Sequence, residues 1–260
     1  MSSTVLITGA AGGLGKAIAT AFLNTGANVA ICDVNSARIA ETAASWTADY
    51  SSDRFIAQQA DVASLADIQN LVEAITSKFG RLDILINNAG ILDAFDPAGT
   101  CPRETWDRVL NVNLTGPYIC TQVAVGAMQA QSPSGGTIIN MGSNASVYGN
   151  SAGVAYTVSK HGVLGLTRNT AAFYLDYGIT CTMLQLGGLA QTNIVDGMAG
   201  RVNEEGMGLI ERHTPGFKAG VNDVRLEDVG KFCVFLADRN MAKTLNGASV
   251  PFNRNWPAAV

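Results

Sequence analysis

Short, continuously apolar runs alternate along the chain with longer segments whose apolar positions recur every three or four residues. TVLIT (4–8), ANVAICD (27–33), RFIAQQA (54–60), LDILINN (82–88), GTIINMG (136–142), ITCTMLQL (179–186) and GASVPF (247–252) read as strands. The segments 14–26, 36–48, 65–79, 104–130, 154–177 and 226–238 read as helices, with Gly26, Gly80 and Gly178 closing three of them. Strands apolar on both faces, separated by helices, belong to a parallel sheet covered on both sides. Right-handed crossovers then predict an α/β fold, a doubly wound sheet of about seven strands. No Pro-, Gly- or Ser-rich linker divides the chain, so 1–260 reads as a single domain. The connection 187–225 is too long for an ordinary loop and reads as a substrate-binding loop or lid.

Composition narrows the class. The 260 residues are 47% hydrophobic and 15% charged, enough for a large core. A net charge of −4 argues against a nucleic-acid partner. Five cysteines, widely spaced and without a CxxC pair, fit reduced thiols in a cytoplasmic protein better than a disulfide framework. Two histidines leave little material for a metal centre, and none is expected. No apolar run approaches the ~18 to 20 residues that span a bilayer. The chain enters its first strand with no basic-then-apolar leader, so neither a membrane nor a secretory route is expected.

The candidate chemistry lies where the strands end. TGAAGGLG (8–15) joins the first strand to the first helix, and Gly9, Gly13 and Gly15 let its backbone turn tightly against a pyrophosphate at the helix N-terminus. Such a loop marks a Rossmann-type dinucleotide site. Asp33 ends the second strand, where a carboxylate accepts bonds from the hydroxyls of an adenosine ribose; it also reads as an acid beginning the next helix. Asp61-Val62 follows the third strand and would flank an adenine. NNAG (87–90) follows the fourth and is either a turn or a cofactor wall. Ser143 ends the fifth strand, 13 residues before Tyr156. Tyr156 and Lys160 stand one helical turn apart on a common face. His161 points away from that face and reads as structural. Met198, Met207, Leu209, Ile210 and Phe217 would either line an apolar pocket or form the inner face of a lid helix.

Taken in order, Thr8-Gly9, Gly13-Leu14-Gly15, Asn87-Asn88-Ala89-Gly90, Asn113 in NVNLTG, Ser143 and Tyr156-x-x-x-Lys160 resemble the short-chain dehydrogenase/reductase family nearly end to end. The resemblance implies an NAD(H)-dependent oxidoreductase that interconverts a secondary alcohol and a ketone, working on a small molecule. It implies Tyr156 as general acid/base, Ser143 orienting the substrate oxygen, and Lys160 binding the nicotinamide ribose and lowering the phenol's pKa. Asn113 would hold a water that links Lys160 to solvent. Gly9, Gly13, Leu14, Gly15, Asp33, Asp61, Val62, Asn88, Ala89, Gly90 and Thr192 would join Tyr156 and Lys160 in holding the cofactor. Relatives that prefer the phosphorylated cofactor carry a basic residue where this chain has Gly12 or Val34, so NAD is expected. A homotetramer or dimer is implied, built from 104–130, 154–177 and the C-terminal segment.

Two stretches depart from the family pattern. QLGGLAQTN (185–193) lacks the usual Pro-Gly before the threonine. FNRNW (252–256) stands where Asp-Gly-Gly is usual, which puts the tight turn there in question. Two other functions fit the same scaffold: a non-redox epimerase or dehydratase, and a nucleotide-sensing regulatory protein with a silent site. An intact Ser–Tyr–Lys set argues against the sensor.

Overall fold

The structure is a computed structural model that describes residues 2–189, 192–198, 200–214, 216–218 and 220–257. Two residues of the QLGGLAQTN stretch, Ala190 and Gln191, and the last three residues of the C-terminal segment lie outside the described residues, as do three residues of the 187–225 connection beyond Gln191. Seven strands, β1 (Thr4–Thr8), β2 (Asn28–Asp33), β3 (Phe55–Gln59), β4 (Ile84–Asn87), β5 (Gly136–Ser143), β6 (Ile179–Leu186) and β7 (Ser249–Phe252), form one sheet in the order β3-β2-β1-β4-β5-β6-β7. Every neighbouring pair is parallel.

The helices are α1 (Gly13–Asn24), α2 (Ser36–Trp46), α3 (Leu65–Phe79), α4 (Arg103–Leu110), α5 (Gly116–Ala130), α6 (Val154–Phe173), α7 (Glu204–His213), α8 (Leu226–Leu236) and α9 (Arg239–Thr244). Side chains of a strand alternate between faces. Val5 and Ile7 of β1 accordingly join Ile18 and Phe22 of α1 and Val229 of α8 in one core. Leu6 joins Ile68 and Leu71 of α3 and Val125 and Met128 of α5 in the other. The predicted doubly wound Rossmann-type sheet is therefore the observed one. After β3 at one edge, the chain returns to place β4 beside β1. That reversal opens a crevice at the carboxyl ends of β1 and β4, where open α/β sheets bind ligands.

Several elements differ from the sequence reading or were left open by it. The single helix expected over 104–130 is α4 and α5 joined by a π-helical turn, Asn111–Thr115. Pro117 carries no N–H to return to the carbonyl of Asn113 one turn back, so an unbroken α-helical ladder is impossible there. The helix expected to run to 177 ends at Phe173; a 3-10 turn, Leu175–Tyr177, follows, and Gly178 at φ +71° makes the stop. α9 was not anticipated, while α7 spans Met207, Leu209 and Ile210, three of the residues read as either pocket lining or the inner face of a lid helix. α7 carries only a few apolar positions among glycines and charges, so its period is faint, although Asn203 caps it by accepting from Gly206 N–H.

The FNRNW turn forms without glycine. Arg254 and Asn255 take the left-handed conformations at φ 49° and 56° that glycines adopt at no steric cost. Asn253 anchors them: its Oδ1 accepts from Asn255 N–H at 3.0 Å, and its Nδ2 donates to Asn144 Oδ1 at 3.2 Å. Asn144 Nδ2 in turn donates to the Trp256 carbonyl at 2.8 Å, tying the C-terminal segment to the residue after Ser143.

Candidate active site

A cleft of about 520 Å³ opens along the carboxyl ends of the strands. Gly9, Gly13, Leu14, Gly15, Asp33, Asp61, Val62, Asn88, Ala89, Gly90, Ser143, Tyr156, Lys160 and Thr192 all line it. Of the site residues expected from sequence, Asn113 alone stands behind the wall, fully buried.

At one end the Gly-rich loop leads into α1. Gly9 and Gly13 have φ of +61° and +48°, which disfavours any side chain there. A Cβ on Gly9 would stand 2.7 Å from the Ala89 Cα. The turn is clamped from β4: Asn88 Nδ2 donates to the Thr8 and Gly9 carbonyls at 2.9 Å each, and Ala89 N–H reaches Thr8 Oγ1 at 3.0 Å. NNAG is thus more than a turn, because the Asn88 side chain and the Ala89 N–H tie it to the Gly-rich loop. The N-terminus of α1 has neither a side-chain cap nor an acid in its first turn. Its N–H groups face the cleft unopposed, so the residues present fit a pyrophosphate.

Asp33 closes β2 at the mouth of the cleft. Oδ2 accepts from Ala11 N–H at 3.3 Å and Oδ1 from Asn35 N–H at 3.1 Å. The second reading of Asp33, as an acid beginning a helix, is not met, because Asn35 caps α2. Asp61 is exposed and turns its Oδ1 to Ala63 N–H at 2.9 Å. Val62 is buried against Gly116 of α5.

At the other end, Ser143, Tyr156 and Lys160 line the cleft together. Ser143 Oγ accepts from Ala145 N–H at 3.2 Å, which turns its proton away from the backbone. Lys160 Nζ lies 5.5 Å from the centre of the Tyr156 ring and donates to the Met141 carbonyl at 2.9 Å. Burial sets both titrations. It pushes the Tyr156 phenol up to about 12, the bond from Ser143 opposing and the Asp93 carboxylate adding to the rise, and it lowers the Lys160 ammonium to about 8. The phenol thus lies above its ordinary value, where the sequence reading expected it to lie below. The ammonium is bonded to the Met141 carbonyl, and burial is the largest cause of the phenol's rise.

The Asn113 amide is fully engaged with protein. Oδ1 accepts from Ile91 N–H at 2.8 Å, while Nδ2 donates to the Ile91 carbonyl at 2.8 Å and to Ser159 Oγ at 3.3 Å. Its side chain pins the segment after NNAG to α6 and is not available to hold a water. Pro117, which has no N–H, cannot supply the α-helical partner of the Asn113 carbonyl. His161 is exposed, with Nδ1 2.9 Å from the Thr157 carbonyl, as a structural residue should be.

The sequence reading missed several wall residues. Arg38 of α2 and Asp196 meet across the mouth at 2.8 Å, and both line the cleft. Arg38 was within reach, one turn beyond Asp33; Asp196 carried no signal, because the path of the 187–225 connection cannot be read from its residues. Leu189, Asn193 and Ile194 of that connection also line the cleft, whereas Met198, Met207, Leu209, Ile210 and Phe217 do not. Phe217 packs instead on Trp256, with ring centres 4.7 Å apart. Among the described residues no group of three His, Cys, Asp or Glu could hold a metal ion, and no helix is long and apolar enough to cross a membrane.

A doubly wound sheet, a glycine loop at its switch point and a Ser–Tyr–Lys cluster in the same cleft define a dinucleotide-dependent oxidoreductase. The chain belongs to the short-chain dehydrogenase/reductase family: residues 3–201 match the family model for short chain dehydrogenase. It is 42% identical over 260 residues to a short chain dehydrogenase/reductase of Gibberella zeae, covering 99% of this chain and 94% of that protein. It is 34% identical over 255 residues to a 3beta-hydroxysteroid dehydrogenase of Eggerthella lenta, covering 98% and 95%. The solved structure of levodione reductase superposes with a TM-score of 0.85 at 28% identity, covering 99% of this chain and 98% of that one.

Proposed function

We propose that the protein is an NAD(H)-dependent oxidoreductase interconverting a secondary alcohol and a ketone. The observation that carries this reading is the convergence of Ser143, Tyr156 and the buried Lys160, its Nζ 5.5 Å from the Tyr156 ring centre, on one cleft whose other end is a glycine cradle. When bound, NAD supplies the hydride acceptor and NADH the donor. The chain's own groups do the rest. Ser143 donates to the substrate oxygen and holds it beside the phenol. Tyr156 gives its proton to that oxygen in reduction and removes it in oxidation. Lys160 supplies positive charge beside the phenol, and the Asn113 carbonyl serves the proton path that leads from Lys160 toward solvent. The activities named for the hydroxysteroid dehydrogenase and levodione reductase relatives support alcohol and carbonyl chemistry.

The test is absorbance at 340 nm with NAD+ and a panel of cyclic alcohols, steroids, polyols and hydroxyacyl thioesters. One NADH formed per alcohol consumed is expected. Product formed with no net NADH would instead point to an epimerase or dehydratase.

The protein is also read as a homo-oligomer. Tyr118 of α5, Phe173 of α6 and Phe235 of α8 are all exposed, a cost that burial between subunits would remove. Light scattering at micromolar concentration should report a dimer or tetramer; a particle of 27.1 kDa alone would reject assembly.

A further inference from the structure

α6 carries both Tyr156 and Lys160, and yet its own N-cap residue, Gly153, has no side chain with which to cap it. The first N–H groups of a helix lack intrahelical partners and need acceptors. Here the acceptors come from a loop some sixty residues earlier. Asp93 Oδ2 accepts from Tyr156 N–H at 2.9 Å, and Asp93 Oδ1 accepts from Gly153 N–H at 3.0 Å. Those are the two bonds a capping box makes within one segment: one to the third helical N–H, one to the N-cap N–H. The Asp96 carbonyl takes a third, from Val154 N–H at 2.9 Å.

Gly153 is required by this arrangement. A Cβ there would stand 2.5 and 2.6 Å from the two Asp93 carboxylate oxygens. Its own φ of −69° and ψ of 175° would otherwise admit any residue. The loop is itself fixed. Phe95 sits at φ 65°, and its N–H donates to Asp93 Oδ1 at 3.1 Å. The buried Asp96 is paired with Arg201 and accepts from Asn203 Nδ2 at 3.0 Å, while Asn203 N–H reaches the Ala94 carbonyl at 2.8 Å.

We propose that Asp93 is a positioning residue for Tyr156: its fully buried carboxylate caps α6 from outside the helix and fixes the backbone of the residue that bears the phenol. The inference rests on the reading of Tyr156 as acid/base. Misplacing a reacting group by about 1 Å costs on the order of a hundredfold.

The experiment compares Asp93→Ala, the double variant Asp93→Ala/Gly153→Ser, and Tyr156→Phe as reference. It measures kcat, KM, NADH affinity by fluorescence, and the thermal midpoint. Asp93→Ala should lower kcat about tenfold to a hundredfold, with NADH affinity unchanged within about threefold. In the double variant a serine in the vacated space restores the bond to Tyr156 N–H from within the helix, and kcat should return to within about fivefold of wild type. Two results would overturn the proposal. One is Asp93→Ala with wild-type kcat and only a lowered midpoint. The other is a double variant with a restored midpoint and a kcat still down tenfold or more, which decides the matter even if Asp93→Ala alone fails to fold. If Tyr156→Phe itself keeps wild-type turnover, the acid/base reading has failed, whatever the Asp93 variants show.

Discussion

Tyr156→Phe should lose about two to four orders of magnitude in turnover while binding NADH within about threefold of wild type. The ring is kept, so the apolar packing of Tyr156 with Val109, Ala145 and Ala152 survives. Only the phenolic oxygen goes, and that range is the usual worth of a positioned acid or base. The raised phenol gives the pH dependence its sign. At a pKa of about 12 the phenolate is scarce near neutrality. Alcohol oxidation, which needs the phenolate, should therefore speed up from about pH 6 to pH 8. Ketone reduction uses the abundant phenol and should stay level over the same range. Above this interval the Lys160 ammonium, lowered to about 8, loses its proton and with it the positive charge that favours phenolate, so the rise should flatten. Rate profiles in both directions check this. A variant keeping more than a tenth of wild-type turnover, with chemistry rate-limiting, would remove Tyr156 from its assigned role.

The second large effect is cofactor choice. NAD(H) should be preferred to NADP(H) by roughly a hundredfold in kcat/KM. A 2′-phosphate would bring negative charge against Asp33; at about 4 Å and an effective dielectric of ~20, the repulsion is ~4 kcal/mol. Solvent at the cleft mouth reduces this to ~2 to 3 kcal/mol, and each ~1.4 kcal/mol is tenfold. The structure adds a cation that the sequence reading did not count. Arg38 lines the same mouth, but its guanidinium is held by Asp196 at 2.8 Å, so the pair presents little net charge to a phosphate. Asp33→Ala should erode the ratio mainly by weakening NAD, because the ribose hydroxyls lose their acceptor. Asp196→Ala should narrow it from the other side, by freeing Arg38. Steady-state kinetics with both cofactors on one substrate decide the question; equal efficiencies in the wild-type protein would show that Asp33 does not face the ribose.

Much of this was legible along the chain, because its causes are local. Continuous apolar runs fixed seven strands, as at Val5-Leu6-Ile7, where each face of the sheet meets its own core. Gly9 and Gly13 were readable because a left-handed backbone admits few other residues. Tyr156 and Lys160 were readable because one helical turn puts them on one face. The strand ends were enough to place Asp33, Asn88 and Ser143 in a common crevice, since every parallel strand delivers its C-terminus to the same side.

What the sequence could not disclose depends on contacts between distant segments. Burial, a property of the whole assembly of elements, decided that the phenol rises and the ammonium falls, where the isolated pair suggested the reverse for the phenol. That the Asn113 amide is taken up by Ile91 and Ser159 could not be read from NVNLTG. Arg38 and Asp196 lie 158 residues apart, and only the folded connection after β6 brings them together. Asp93 carried no local signal at all, because its meaning lies in Gly153, the glycine whose missing side chain it replaces. The sequence by itself determined the sheet, the glycine loop and the identity of the reactive side chains, each dictated by short-range sterics and periodicity. The tertiary structure alone decided their ionisation, their capping and the far wall of the cleft, because desolvation and long-range hydrogen bonds exist only once the chain has closed on itself.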